Sequence, residues 1–333
     1  MVFDSKNIRT WSLLGPSGIF GIAACELAEQ NEDFAVVTAD LCYFSGLDKF
    51  KKKYSSQLYN VGIAEQNMIG IAGGMAKEGM DVWAITYASF ASARVLDQVK
   101  VNMGYMKLPI HLVGMASGYS VGILGATHMC LEDIAMMRSI PNVTIISPAD
   151  GAETMKAVLA VSELKQPTYI RMSSGSTRMP VVYKEDFDFC IGKAIEIKKY
   201  QGADVAIIAT GTMVNVALKV SDILENSDIL CDVIDMHTIK PIDEEIILST
   251  LTTKLVVTIE EHSKIGGLGS AVAEVLASCA NKPPQIIIGV DDYYPKAASY
   301  EKLLEESGLA VDDITKRIMS YVKNKNYCNS KKD

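Results

Sequence analysis

The chain has 333 residues, 49% of them hydrophobic and 22% charged, and a formal net charge of −8. That balance excludes wholesale disorder and a basic nucleic-acid-binding face, and the length is enough for two domains with a large core. Seven scattered cysteines (Cys25, Cys42, Cys130, Cys190, Cys231, Cys279 and Cys328) form no C-x-x-C pair, so neither a disulfide framework nor a zinc site is indicated, and reduced thiols in a cytoplasmic protein are expected.

The opening "MVFDSKNIRTW" lacks the layout of a signal peptide, and no apolar run is read as reaching the roughly 20 residues of a membrane helix. Helical periodicity then covers residues 17–30, followed by the strand-like "FAVVTADL". A second helix is predicted over 65–78, then the strand "VWAITY", a helix over 92–104 and the strand "IHLVGM". A helix over 131–138, the strand "VTIISPAD" and a helix over 151–164 complete this block. Short apolar runs between helices read as strands buried on both faces of a mostly parallel sheet.

The texture then changes: "SSGSTRMP" is turn chemistry, and the charged stretch after it alternates like a strand. A second block follows, with "VAIIATGT", "CDVIDM", "KLVVTIEE" and "QIIIGV" as strands and a last helix near 312–323. The expected fold class is therefore α/β with two doubly wound domains. Residues 1–185 form the first, 186–202 a linker with an edge hairpin, 203–325 the second, and 326–333 a frayed tail.

One carboxylate stands out. In "YNVGIAEQNMIGIAGGMAKEGM", Glu65 heads a helix that is apolar nearly all the way round, with Gly70, Gly73 and Gly74 along it. From residue types two readings stand. Glu65 is either a first-turn acid favoured by the helix dipole or a carboxylate held in a dry pocket for proton chemistry. "YASF" places Tyr87 and Phe90 at the carboxyl end of a strand, where α/β sheets bind ligands.

These residues resemble the transketolase family. "VGIAEQN" is similar to its G-I-x-E-[HQ] signature, with wording nearest the 1-deoxyxylulose-5-phosphate synthase branch. "THMCLEDIAMMRSIPNVTIISPAD" follows its T-H…E…R-x-[IL]-P-N…P-[AS]-D block, "TADL" its S-A-D-L, and "IEEHSKIGGLGSAVAE" its E-E-H-x-x-x-G-G-L-G. The resemblance runs from Ser17 to Lys323, and implies a pyrimidine-binding domain followed by a transketolase C-terminal domain.

It also implies thiamine diphosphate as cofactor, with Glu65 hydrogen-bonding the aminopyrimidine ring, Phe90 stacking on that ring and Tyr87 beside it. His128, in "ATHMC", matches the family's substrate-channel histidine, and Asp40 its interface aspartate. Read from residue type alone, Asp40 is equally a turn cap. His262 also matches, and its reading stays structural.

The family anchors the diphosphate with G-D-G and a metal-binding Asn; this sequence contains no G-D-G. The expectation is a partner chain, an N-terminal transketolase subunit holding Mg²⁺ or Ca²⁺ and the diphosphate, in an α2β2 assembly. The start at Met1, just ahead of the pyrimidine-binding region, is read the same way.

The substrate grip departs from the family. Its phosphate-holding arginine falls on Ser174, with Arg171 and Arg178 nearby; Leu124, Ala116 and Phe44 stand where the family has Asp, His and Ser. Arg94 offers replacement charge, or a surface salt bridge. The expected activity is ketol transfer from a ketose to an aldehyde. The alternatives are another thiamine reaction, namely pyruvate–aldehyde condensation or delivery of a two-carbon unit to a thiol carrier, and a non-catalytic scaffold subunit.

Overall fold

The apolar runs become strands whose side chains are buried on both faces, as parallel sheets require. In the computed structural model, which describes residues 1–173 and 178–329, the strands are β1 (Phe34–Thr38), the largely exposed β2 (Leu58–Asn60), β3 (Asp81–Tyr87), β4 (Ile110–Met115), β5 (Thr144–Ile146) and β6 (Thr168–Arg171). The later strands are β7 (Ile195–Lys198), β8 (Val205–Ala209), β9 (Cys231–Asp235), β10 (Thr238–Lys240), β11 (Leu255–Ser263) and β12 (Gln285–Val290). Among the described residues they form two sheets, ordered β10-β5-β6-β4-β3-β1-β2 and β12-β11-β8-β9-β7. All neighbours pair in parallel except β10 with β5 and β7 with β9. The α/β class and the two sheets are as the sequence predicts.

Register places the site. Thr38 lies opposite both Asn60 and Ile85, and Tyr87 opposite Met115. The carboxyl ends of β1, β2, β3 and β4 therefore open onto one edge, where the following loops meet.

Three expectations need correction. The expected hairpin of 186–202 is a single edge strand, β7, whose partner β9 lies more than thirty residues on, with Ile195 opposite Asp235. The domain boundary at 203 is crossed by β10, which leaves the second unit to pair with β5, Thr238 opposite Ile146. The last helix, Val311–Asn329, continues into the segment read as frayed. One hydrophobic cluster runs through both units, from Met68 and Ala72 by way of Ile134 and Tyr169 to Ile208 and Leu268.

The first helix is Ser5–Gln30, not 17–30. Asp4 caps it, accepting from the Asn7 amide at 2.8 Å. Gly15, at φ 69°, and Pro16 kink it, which hides its first half from a periodicity reading. By length and composition it is apolar enough to cross a membrane, contrary to the expectation, yet 61% of its most apolar stretch is buried inside the fold.

Candidate active site

Glu65 opens the helix Glu65–Lys77 three residues after Gly62, whose φ of 73° turns the chain. The helix is not buried all round. Met68, Ile69, Ala72 and Ala76 face the core, whereas Gln66, Gly70 and Gly74 are exposed. Glu65 sits on the seam between these faces, and its own side chain is only 4% exposed.

β3 ends on Tyr87, and the chain winds at once into a helical run that begins before the predicted Ser92. Phe90–Arg94 and Lys100–Tyr105 are π-helical, on either side of one α-turn, Leu96–Val99. The wider winding places Phe90 and Arg94 over one another, with the Arg94 guanidinium carbon 4.0 Å from the Phe90 ring centroid. Arg94 Nη1 donates to Glu65 Oε1 at 2.7 Å. Gln66 Nε2 donates to the Arg94 carbonyl at 3.2 Å, tying the two segments together.

The other predicted residues complete an aromatic wall. His128 stands edge-on to Phe90 at 5.6 Å and to Tyr87 at 6.4 Å; its Nδ1 lies 3.0 Å from Thr127 Oγ1. Tyr87 is 6.1 Å from Phe90, and burial pushes its phenol up. Phe44 extends the wall, 6.3 Å from Tyr87, and Tyr43 meets it edge-to-face at 5.4 Å. Phe44 and Tyr43 are 58% and 73% exposed, so this wall forms the mouth. Leu124 is exposed on a nearby 3₁₀ turn, Gly122–Leu124, and Ala116 takes a left-handed φ of 53°.

Asp40 lies two residues beyond the end of β1, with φ 58°. Asn60 fixes it from both sides: its Oδ1 accepts from the Asp40 amide and its Nδ2 donates to Asp40 Oδ1, each at 3.0 Å. Asn60 escaped the sequence reading because its partner is twenty residues away.

Two arginines are not where a substrate would meet them. Arg171 is buried, its Nε 2.9 and 3.0 Å from the two oxygens of Asp133. Its Nη2 donates to the carbonyls of Glu261 at 2.9 Å and Cys130 at 3.3 Å. Those donors are spent inside the fold, so the expected substrate role gives way to a structural one. Arg178 lines a separate cleft of about 440 Å³ with Thr212, Met213 and Tyr300, apart from the Glu65 cluster. Ser174 lies outside the described residues.

The "EEHSKIGG" motif joins the two units. Glu260 accepts from the amides of Leu268 and Gly269 at 2.7 and 2.8 Å, at the start of the helix Leu268–Ala277. Burial nonetheless raises its carboxyl to about 7. Glu261 accepts from the Tyr119 amide at 2.5 Å, Thr212 Oγ1 at 3.0 Å and the Tyr300 hydroxyl at 2.6 Å. A side chain at Gly118, where φ is 63°, would collide with Glu261. His262 Nε2 accepts from the Ala135 amide at 3.3 Å while Nδ1 contacts the Ser263 carbonyl; burial lowers this imidazole to about 4, keeping it neutral.

The residues fit a flat heterocycle with a hydrogen-bonding nitrogen on its edge. The planar Arg94 guanidinium already shows one group stacking on Phe90 while donating to Glu65. Among the described residues, no group of three or more His, Cys, Asp or Glu is placed to hold a metal ion.

Comparison with known proteins agrees with this geometry. Residues 17–180 match the transketolase pyrimidine-binding domain and residues 192–314 the transketolase C-terminal domain. One of the subunits of the apulose-4-phosphate transketolase of Phocaeicola vulgatus is 37% identical over 300 residues, 90% of this chain and 94% of that one. The 6-deoxy-6-sulfo-D-fructose transketolase subunit SqwH of a Clostridium species is 36% identical, over 91% of this chain and 92% of that one. A solved split-gene transketolase, described as an inactive β4 tetramer, superposes with a TM-score of 0.82 at 35% identity, covering 92% of this chain and 97% of that one. With both family domains in order and relatives of this identity along almost its whole length, the chain belongs to the transketolase family, which implies thiamine diphosphate as the cofactor.

Proposed function

We propose that this chain is the C-terminal subunit of a split transketolase, moving a two-carbon ketol unit from a ketose to an aldehyde. The observation that carries this reading is the buried Glu65 carboxylate beside the Phe90 face, at the position of the family signature. When bound, thiamine diphosphate supplies the electron sink for carbon–carbon bond cleavage that side chains lack.

The chain's own residues supply orientation and one proton path. Glu65, shielded from water, holds a proton at the edge of the pyrimidine ring, and the low dielectric strengthens that single hydrogen bond. Phe90 and Tyr87 bear on the ring. His128, at the inner end of the aromatic wall, reaches the substrate oxygen. Asp40, presented at the edge of the sheet, faces the subunit interface.

The diphosphate and its Mg²⁺ or Ca²⁺ belong, in this reading, to an N-terminal partner subunit, since this sequence has no G-D-G. The complete enzyme is an α2β2 heterotetramer in the cytoplasm. Relatives of nearly equal identity are named for apulose 4-phosphate and for 6-deoxy-6-sulfo-D-fructose. Of the arginines singled out in the sequence, Arg94 is the one at the Glu65 cluster and available there to an anionic substrate.

The test is to purify the chain with and without its partner and assay ketose-dependent extension of aldehydes. Ketol transfer by the pair alone supports the reading; transfer by this chain by itself overturns the split site. The "VGIAEQ" wording and the exchange of a serine for Phe44 favour one second reading, pyruvate–aldehyde condensation. Offering pyruvate, phosphorylated ketoses and free ketoses as donors separates the two.

A further inference from the structure

The Glu65 carboxylate is buried and, among the described residues, is ion-paired with Arg94, whose side chain is 44% exposed. That guanidinium makes two contacts at once: a 2.7 Å hydrogen bond to Glu65 Oε1 and a 4.0 Å stack on the Phe90 face. These are the two contacts required of an aminopyrimidine ring seated here. One flat group excludes another from the same seat. His128 also stands edge-on to Phe90, at 5.6 Å.

Taking the functional reading above as its basis, we infer that Arg94 is a placeholder for the cofactor ring, occupying the seat between Phe90 and Glu65 until the ring displaces it. The backbone is built for such an exchange. Gln66 grips the Arg94 carbonyl at 3.2 Å, so the main chain stays in place. The side chain leaves from an exposed position toward water, where a guanidinium is well solvated.

The placeholder also has a physical reason to exist. A carboxylate this buried is costly without a counter-charge. Arg94 provides one in the chain on its own, and a seated ring would take its place, its ring nitrogen sharing a proton with the Glu65 carboxyl. The ion pair therefore competes directly with cofactor binding, and lowers apparent affinity by the fraction of chains in which the seat is taken.

The experiment is calorimetric titration of thiamine diphosphate, with Mg²⁺, into the two-subunit complex carrying wild-type chain, Arg94→Ala or Arg94→Gln. Both variants are expected to bind roughly 3- to 30-fold more tightly, by relief of the competition. In the isolated chain, Arg94→Ala is expected to lower the melting temperature, and Glu65→Gln to suppress that loss. Unchanged or weaker cofactor binding by both variants overturns the placeholder and makes Arg94 part of the permanent site. A wild-type complex that binds no thiamine diphosphate overturns the functional reading, and the placeholder with it. Binding by wild type without gain in the variants overturns the placeholder alone.

Discussion

Arg171 and Asp133 form a buried two-point pair, Nε lying 2.9 and 3.0 Å from the two carboxylate oxygens, with the Tyr169 hydroxyl donating to the same carboxylate at 2.8 Å. Because Arg171 also reaches the Glu261 carbonyl, the pair anchors the first sheet to the second unit. Removing one partner strands a buried charge, so Asp133→Asn is expected to cost about 3–5 kcal/mol. Asp133→Leu with Arg171→Met is expected to recover much of that loss. Denaturant unfolding of the isolated chain checks both. A folded, stable Asp133→Asn chain with only a raised KM would return Arg171 to the substrate.

Glu65→Gln keeps the size of the side chain and removes the carboxylate. Turnover in the two-chain complex is expected to fall by roughly 10²- to 10⁴-fold, with folding of the chain intact. Circular dichroism and steady-state kinetics together decide this; full turnover would place the proton path elsewhere.

Phe44 projects at the mouth beside Tyr87 and Tyr43. Phe44→Ala is expected to raise KM for the ketose by about 2- to 10-fold and leave kcat nearly unchanged, as loss of a stacking contact made equally in ground and transition states does. A fall in kcat with KM constant would instead put Phe44 at the reacting carbon.

The pH profile of stability follows from buried groups. Asp150, Glu153 and Asp235 cluster where β9 meets the helix Gly151–Ser162, and Tyr183 donates to Asp235 at 2.8 Å. Burial raises all three carboxyls, Asp235 to about 8. Protons bound more tightly in the folded chain stabilise it at low pH, and that stability is lost as pH rises through about 8. Buried His111, His237 and His262 are lowered to about 3, 4 and 4. Their contribution holds above the ordinary imidazole range and is lost as pH falls from about 6.5 toward those values. Melting temperature is expected to be highest below about pH 6.5 and to fall along an alkaline limb toward about pH 8, which Glu153→Gln flattens. An alkaline limb unaltered in that variant would assign it to other groups.

Much of the fold was legible because burial on both faces leaves largely apolar runs, as in β1, β4 and β8 and in the first half of β11. β2, β6 and β10 are three or four residues long. Nothing local distinguishes them from loops, since their stability comes from neighbours distant in sequence. Glu65, Phe90, Tyr87 and His128 were legible by type and motif, and the structure brings them together. Arg171 was misread because a cation after a strand looks alike in sequence whether it faces a ligand or a buried carboxylate.

What the amino-acid order determined by itself was the alternation of strands and helices, and the presence of an acid and an aromatic at the ends of parallel strands. Only the tertiary structure decided which charges meet. The wider turn from Phe90 to Arg94 delivers a guanidinium to Glu65 from 29 residues away, and β10 crosses from one unit to bind the other. Periodicity encodes which face of an element is buried, whereas the partners that face it depend on where the whole chain returns.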